Sequence, residues 1–392
     1  MLCNVFPARS GFAFPFSLLN LGKCFPCLDL AQAIHESHAL MIRAKVIGAG
    51  GYGGVGITEL LLQHPEVDLV CLVAKNDVGV KMSELYPHLS GYCDLPILAP
   101  DDPGAVVPVD ITIFATPDGV AMSSSSEIAA QKGRFIDFSG DFRFPSASCY
   151  KEYAARIGRD PEHRAPELLS RTVYGLPELR REEIGGKTAI VGNAGCFAVS
   201  CILGLAPAVK YKLVDPDTII CDCKSGVSGA GKKPGKTFHY PARYEQINAY
   251  RFAGHQHVVE IEQELSTLAG SDIAITFTPQ VIPSCRGILS TLYGQLGEGV
   301  TLAKVMDAYE VFHKDNHFVR IFNRETAIGT MHVRGSNYCF LTVDVDERTS
   351  RLRVVSHIDN LVKGQSGNAV QNMNLMFGLD EAVGLDRPGM YP

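Results

Sequence analysis

The chain reads GAGGYGG at residues 48–54, directly after a short β-prone run at residues 44–48. A helical stretch with consecutive leucines follows, and then a second apolar run at residues 67–73, so the glycines open the helix of a strand–helix–strand unit. In that setting the spacing GxGxxG is typical of a dinucleotide-binding turn, because glycine permits the tight turn and lets a pyrophosphate approach the free N–H groups of the helix. We therefore predict that the dinucleotide is bound by Gly48, Gly50, Gly51, Tyr52 and Gly53.

The order of strand-like runs predicts two domains. Runs at residues 111–115 and 135–138 end in turn-forming or polar residues, as expected at the carboxyl ends of a doubly wound sheet. After residue 196, strand-like runs have fewer helices between them, which favours a mixed or antiparallel sheet. We predict an α/β protein with a Rossmann dinucleotide-binding domain at residues 41–195, completed by a C-terminal helix within 365–392, and an α+β domain with a mixed sheet at residues 196–364.

The end of the second predicted strand bears on the choice of dinucleotide. NAD-binding folds place an acid there to hold the ribose 2′-hydroxyl. This chain has Lys75 at that point, and Asp77 follows two residues later. A lysine can pair with a 2′-phosphate, so we predict that the cofactor is NADP and that Lys75 contacts it, while Asp77 leaves NAD open.

The stretch VGNAGCFA at residues 191–198 carries the main candidate for catalysis. A strand-like run leads into small residues, and Cys196 then opens an apolar helical pattern. The positive end of a helix dipole favours a thiolate there. Beside a nicotinamide, such a thiolate would attack an activated acyl group and form a thioester, which hydride would reduce to an aldehyde; phosphate is the obvious leaving group. The alternative is one more buried thiol, like Cys201 in the same helix.

Other polar groups could move a proton or hold an anion. GHQH at residues 254–257 precedes a helical apolar pattern, so one imidazole is a candidate acid–base. Residues two apart on a helix do not share a face, so we predict no metal site there. The glycine-rich run at residues 224–232 is basic and suits a phosphate, and Arg143 follows a strand end. We predict substrate contacts from Arg143, Lys224, Ser225 and His257, with solvated surface loops as the alternative.

Composition excludes several classes of function. The 392 residues carry a net charge of −6, which gives no basic footprint for nucleic acid or an anionic membrane. The 12 cysteines are scattered, which favours a reducing compartment, and no apolar run is long enough to cross a bilayer, so we expect a cytoplasmic protein. Residues 1–40, with a CxxC pair at Cys24 and Cys27, are interpreted as a disordered leader or a start assigned upstream of Met41 rather than a signal segment.

Together the motifs resemble the N-acetyl-γ-glutamyl-phosphate reductase family over nearly the whole chain from Met41 onward. The resemblance implies a second domain like that of glyceraldehyde-phosphate dehydrogenase. It also implies NADPH-dependent reductive dephosphorylation of N-acetyl-L-glutamyl 5-phosphate in arginine biosynthesis, by a homo-oligomer (dimer or tetramer). Cys196 would be the thioester nucleophile and His255 the acid–base, with His257 left open for that role and Asn372 near the nicotinamide. Besides the glycine turn, the matching segments are DFSGDFR (137–143), YGLPEL (174–179), GNAGCFA (192–198), KSGVSGAGKKP (224–234), GHQHVVEIEQEL (254–265), RGILST (286–291), RGSNYC (334–339) and KGQSGNAVQNMNLMFGL (363–379).

The chain departs from the family pattern at positions near the chemistry. Ala194 stands where proline usually precedes Gly195, Val199 lies near a usual threonine, Gly50 replaces a common serine or threonine, and Gln256 replaces the arginine of an HRH sequence. An aminoadipyl-phosphate or aspartyl-phosphate substrate therefore stays open as an alternative. So does a non-catalytic, nucleotide-sensing relative.

Overall fold

The computed structural model describes residues 41–130, 133–186 and 188–392. The predicted leader at residues 1–40 and its Cys24–Cys27 pair lie outside the described residues. Within the described part of the chain, the longer apolar runs of the sequence form two sheets, each of seven strands.

The first sheet is parallel throughout, as the alternation of apolar runs and helices predicts. Its strand order is β3-β2-β1-β4-β5-β7-β6. The order reverses at β1, which pairs with both β2 and β4, and ligands of such sheets bind at the carboxyl ends of the strands beside this point. The strands are β1 (Ile42–Ile47), β2 (Val67–Val73), β3 (Ile97–Leu98), β4 (Ile111–Phe114), β5 (Arg134–Asp137), β6 (Thr172–Gly175) and β7 (Ile190–Asn193).

The second sheet is mixed, which confirms the predicted fold class. Its order is β12-β13-β14-β11-β8-β10-β9, in which the pairs β12–β13 and β8–β10 are parallel and the other four pairs are antiparallel. The strand-like runs of the sequence at residues 218–223, 273–278, 287–294 and 339–345 are strands in the structure, shifted by at most three residues at either end. The strands are β8 (Ile220–Ser225), β9 (Asn248–Ala249), β10 (Thr276–Val281), β11 (Ile288–Gln295), β12 (Val319–Phe322), β13 (Cys339–Asp346) and β14 (Arg351–Ile358).

Helices connect the strands and cover both faces of the first sheet and one face of the second. The α-helices of the described residues are α1 (Tyr52–Leu62), α2 (Met82–Leu85), α3 (Ala121–Ala130), α4 (Ala147–Arg156), α5 (Pro166–Leu169), α6 (Pro177–Ile184), α7 (Cys196–Lys210), α8 (Tyr240–Arg243), α9 (His257–Ala269), α10 (Leu302–His313) and α11 (Gly367–Met376). None is long and apolar enough to span a membrane.

Helix α7 joins the two sheets. It begins three residues after β7 of the parallel sheet ends, and it packs on β11 and β14 of the mixed sheet and on α9. Residues 197–209 of this helix are all buried, as expected for a helix that is apolar on every side. The first residue of α7, Cys196, is therefore held at the junction of the two sheets.

The C-terminal segment returns to the parallel sheet. After β14 the chain makes one π-helical turn at Val362–Ser366 and continues into α11, which packs on α1 and α6. The sequence predicts a C-terminal helix at residues 365–392, but in the structure this helix begins at Gly367 after the π-helical turn and ends at Met376. Such π-turns are rare and frequently occur at functional sites.

Candidate active site

The glycine turn connects β1 to α1 at the reversal point of the parallel sheet. Gly48 has φ +92, and a Cβ there would lie 2.3 Å from the carbonyl oxygen of Ala115, so only glycine fits. A Cβ on Gly54 would lie 2.2 Å from the carbonyl oxygen of Gly48. Gly51 precedes α1, and no side chain caps the N-terminus of this helix, which leaves backbone N–H groups available to a phosphate. These residues fit a dinucleotide.

A cavity of about 540 Å³ opens beside this turn. It lies between the carboxyl ends of the parallel strands, the N-termini of α7 and α9, and the loop after β8. The structure brings seven of the predicted site residues to its wall: Tyr52, Gly53, Arg143, Cys196, Ser225, His255 and His257.

Gly48, Gly50 and Gly51 belong to the turn but do not line the cavity, and three predicted side-chain contacts are not placed at it either. Side chains alternate along β8, and Lys224 lies on the opposite face of the sheet from Ser225, paired with Asp222. Asn372 is fully buried, and its amide group donates to the carbonyl oxygen of Gly175 and to Asn193 Oδ1, both at 3.1 Å. Lys75 is exposed just beyond the end of β2. Lys224 and Asn372 thus contact other protein groups away from the cavity wall.

The Cys196 thiol is protonated at neutral pH in this structure. Its own N–H, the N–H of Phe197 and the charge of Arg143 favour the thiolate, but burial outweighs them and raises the pKa of Cys196 to about 11. The sequence predicts a thiolate from the helix dipole alone and does not account for this desolvation. Attack by this sulfur therefore requires a nearby base.

Two neutral imidazoles lie at the same wall. Burial, together with smaller effects of His257 and Arg251, lowers the pKa of His255 to about 2. Burial, followed by Arg143 and Arg251, also lowers the pKa of His257 well below its usual value. The backbone N–H of His257 donates to His255 Nδ1 at 3.2 Å, so neutral His255 carries its proton on Nε2. This Nε2 lies 3.4 Å from the Tyr250 hydroxyl.

Arg143 is held in place by the protein itself. Its Nη1 donates to Glu260 Oε1 at 2.7 Å, its Nε donates to the carbonyl oxygen of Asn193 at 2.7 Å, and its Nη2 donates to that of Phe138 at 2.5 Å. The predicted role of Arg143 as a free anion ligand is therefore limited. Its charge instead compensates Glu260, a fully buried carboxylate that sequence reasoning did not identify.

Glu260 connects the base region to the nucleophile. Its Oε2 accepts the N–H of Gly195 at 3.0 Å and the hydroxyl of Tyr174 at 3.1 Å, and its Oε1 lies 3.9 Å from His257 Nε2. The spacing in the sequence indicates this position of Glu260. It follows His257 by three residues and therefore lies on the same buried face of α9.

The other side of the glycine turn is charged. Lys232, from the loop after β8, donates to the carbonyl oxygen of Gly50 at 3.3 Å and lies 3.7 Å from Asp77 Oδ2. Asp77 is therefore next to the turn. These two charges lie near the segment where a bound dinucleotide would place its ribose and phosphates.

A parallel dinucleotide-binding sheet joined by a cysteine-bearing helix to a mixed sheet defines an oxidoreductase of the semialdehyde dehydrogenase class. Residues 43–187 match the family model "Semialdehyde dehydrogenase, NAD binding domain", and residues 196–360 match "Semialdehyde dehydrogenase, dimerisation domain". Solved structures agree on the fold. Aspartate semialdehyde dehydrogenase II from Vibrio cholerae is 16% identical, with a TM-score of 0.65 over 86% of this chain and 98% of that one. Aspartate semialdehyde dehydrogenase with NADP from Candida albicans is 13% identical, with a TM-score of 0.62 over 86% of this chain and 99% of that one.

Curated relatives narrow the class further. N-acetyl-gamma-glutamyl-phosphate reductase from Geobacter sp. strain M21 is 43% identical over 90% of this chain and 100% of its own length. The enzyme of the same name from Pelotomaculum thermopropionicum is 42% identical over the same shares. The chain belongs to the N-acetyl-γ-glutamyl-phosphate reductase family.

Proposed function

We propose that this chain reduces N-acetyl-L-glutamyl 5-phosphate to N-acetyl-L-glutamate 5-semialdehyde, with NADPH as reductant and a thioester on Cys196. One observation carries the proposal. Cys196, at the start of a buried helix, shares one cavity with two neutral imidazoles and with residues of a dinucleotide turn. The names of the relatives support the substrate, since the chain covers their whole length.

The first step is attack by sulfur on the acyl carbon. The Cys196 Sγ–carbon bond forms, the bond from that carbon to the phosphate oxygen breaks, and phosphate leaves with the electron pair. The thiol proton passes to a neutral imidazole. His257 qualifies as this base because burial keeps it uncharged, whereas the Nδ1 of neutral His255 already accepts the backbone N–H of His257 and its Nε2 carries the proton.

The thioester is then brought to the aldehyde level. A bound reduced nicotinamide dinucleotide supplies the hydride for this step. In the resulting hemithioacetal the carbon–sulfur bond breaks, the aldehyde is released and Cys196 regains its proton. His255, whose proton is on Nε2, is the group that we assign to proton transfer at the substrate oxygen.

The dinucleotide assignment rests on the glycine turn and on the charges next to it. Gly48, Gly50 and Gly51 form the turn, and Tyr52 and Gly53 line the cavity. For NADP over NAD the supporting feature is positive charge from Lys75, and from Lys232 beside Asp77. Lower KM for NADP than for NAD, and a larger rise for NADP in Lys75→Ala, would support this choice; a lower KM for NAD would contradict it.

We also propose that the dinucleotide-binding part spans residues 41–195 with the C-terminal helix, and that residues 196–364 form the catalytic and oligomerisation part. The match of residues 196–360 to a dimerisation domain supports a homo-oligomer.

A spectrophotometric assay tests the proposed function. N-acetylglutamate semialdehyde, phosphate and NADP are supplied, and NADPH formation is followed. We expect turnover by the wild type, loss of essentially all activity in Cys196→Ser, and full activity in Cys285→Ser, which changes an exposed cysteine outside the cavity wall. Turnover with aspartate semialdehyde but not with the N-acetylated aldehyde would overturn the substrate, and activity retained by Cys196→Ser would overturn the mechanism.

A further inference from the structure

The cavity contains two arginines in different electrostatic states. Arg143 is 7% exposed, and its three guanidinium nitrogens already donate to Glu260 and to two carbonyl oxygens. A buried arginine with this set of partners is a structural cation with little capacity for a ligand.

Arg251 differs in each of these respects. It lines the same cavity and is exposed, and among the described residues its guanidinium has no carboxylate within ion-pair distance. Its one side-chain partner is neutral, because Nη1 donates to the amide oxygen of Gln256. Most of its donors remain available to an anion.

The backbone holds Arg251 at an unusual angle. Its φ is 47, in the left-handed region that arginine rarely adopts. Such backbone conformations cost free energy and concentrate at functional sites. The adjoining residues are also fixed, since Tyr250 is hydrogen-bonded to His255 and its N–H donates to the carbonyl oxygen of Pro279.

The charge of Arg251 lies close to the reacting groups without pairing with them. Arg251 contributes to the lowered pKa of both histidines. For His255 it ranks after burial and His257, and for His257 it ranks after burial and Arg143. An anion bound at Arg251 therefore lies at the wall that also holds the imidazoles.

The proposed substrate brings one anionic group that takes no part in the chemistry. Its phosphate leaves, whereas its α-carboxylate stays charged throughout and needs a cation of its own on entering a largely buried cavity. We infer that Arg251 binds this α-carboxylate and that Gln256 orients the guanidinium by accepting from Nη1. An arginine at position 256, as in the family pattern, would repel Arg251 instead of accepting a hydrogen bond from it. The inference rests on the proposed function and adds the residue that selects for an α-carboxylate.

The reverse reaction separates the two anions, because aldehyde and phosphate are then different substrates. We expect Arg251→Ala to raise the KM for N-acetylglutamate semialdehyde roughly 10- to 100-fold, the loss expected for a charge-assisted hydrogen bond. The kcat and the KM for phosphate should change little, and Arg251→Lys should recover part of the loss. With 4-acetamidobutanal, which lacks only the carboxylate, wild type and Arg251→Ala should have the same kcat/KM.

Lys236→Ala is the matched control, since it removes an exposed charge from the loop between β8 and α8, outside the cavity wall. Its KM for the aldehyde should equal that of the wild type. A rise in the KM for phosphate in Arg251→Ala, or an equal loss with both aldehydes, would overturn the inference. Unchanged kinetics in Arg251→Ala would do so too. A wild type that does not turn over N-acetylglutamate semialdehyde would instead overturn the proposed function.

Discussion

Two glycines allow the backbone to approach the reacting side chains closely. A Cβ on Gly364, in the π-helical turn, would lie 2.7 Å from Cys196 Cβ. A Cβ on Gly195 would lie 2.5 Å from His257 Nε2. Both distances are shorter than real Cβ contacts, so these positions fix where the nucleophile and the imidazole lie relative to the backbone.

Gly364→Ala should lower kcat about 100-fold, because a displacement of about 1 Å at a reacting group can cost that much. The added methyl would push Cys196 and the π-helical turn apart. Steady-state kinetics measure the effect, with the thermal unfolding midpoint as a check on folding. The matched control is Gly297→Ala, whose Cβ would make an ordinary contact of 3.7 Å with Val300. Equal kcat values for the two variants would contradict the expected displacement of Cys196.

The buried imidazoles of His255 and His257 make the free energy of unfolding depend on pH. Both have a lower pKa in the folded chain than their ordinary value of 6.5, so below pH 6.5 the unfolded chain binds more protons. Stability is therefore fully present above pH 6.5 and decreases as the pH falls towards the folded-state pKa. At pH 5 the loss should be about 2 kcal/mol for each imidazole.

Urea unfolding at pH 7 and pH 5 measures this loss. His255→Gln/His257→Gln should lose much less stability between the two pH values than the wild type does. His239→Gln, at an exposed histidine, should behave like the wild type. A double variant with the wild-type pH dependence would show that these imidazoles are not buried as described.

At the level of single residues, the sequence predicted the groups with an obvious chemical motif. Cys196, His255 and His257 follow recognisable turns or helix starts, and the structure places all three at one cavity. Glu260 was missed because a glutamate within a helix usually faces solvent, and its burial depends on Arg143 from a distant strand end. The raised pKa of Cys196 was missed for a related reason, since desolvation depends on the whole surrounding fold.

At the scale of elements, one buried ion pair holds the C-terminal segment in place. Lys363, in the π-helical turn, donates to Glu178 of α6 at 2.6 Å, and both side chains are fully buried. Gln371 of α11 bonds to both partners. Although burial alone would raise the pKa of Glu178, the charge of Lys363 lowers it. The turn that contacts Cys196 is thus tied to the parallel sheet by charge as well as by packing.

Lys363→Met should lower the free energy of unfolding by about 3 to 5 kcal/mol, because it leaves Glu178 buried without its counter-charge. The double variant Lys363→Met/Glu178→Leu should recover most of that loss, since it removes both charges. Urea unfolding measures both. A double variant no more stable than Lys363→Met would show that lost packing, and not the unpaired charge, causes the effect.

The elements were predicted best where the sequence pattern is local. The run at residues 67–73 is β2 without any shift, because it is apolar and bounded by polar residues. The short β3 and β9 have two residues each and leave no pattern in the sequence. The strand β14 has an alternating pattern that was overlooked, and it pairs with β11 over eight residues. The order of strands in each sheet depends on tertiary packing, which no local pattern records.

At the scale of the whole molecule, the described residues leave one face of the mixed sheet only partly buried. A row across that face contains Asp222, Thr291, Val355 and Thr342, paired strand to strand. Thr291, Thr342 and Val355 are only partly buried. The sheet lies within the residues that match a dimerisation domain, so we expect a second copy of the chain to cover this face.

Val355→Glu should shift the protein towards monomers, because it would bury a charge in the expected interface. Light scattering coupled to size-exclusion chromatography measures the molar mass. The matched control is Val311→Glu, the same change at a 50% exposed position on α10. If only Val311→Glu dissociates the oligomer, or if neither change does, the interface lies elsewhere.

At the scale of the whole molecule, the sequence predicted the fold class correctly but not how the elements are arranged around the site. The glycine turn and the later change in strand pattern predicted a parallel and a mixed sheet, and both are present. The sequence did not show that α7, which begins just after β7 of the parallel sheet, packs on the mixed sheet and on α9, and this packing brings Cys196 and the imidazoles to one wall. That arrangement depends on the burial of every side of α7.

The most direct test of the thioester mechanism is a single-turnover experiment without phosphate. Wild-type protein is mixed with N-acetylglutamate semialdehyde and NADP, and NADPH and the intact protein mass are followed together. The thioester mechanism predicts a burst of one NADPH per site. It also predicts an acyl group on Cys196 that is removed when phosphate is added. A missing burst, or an acyl group on any other residue, would contradict the thioester mechanism.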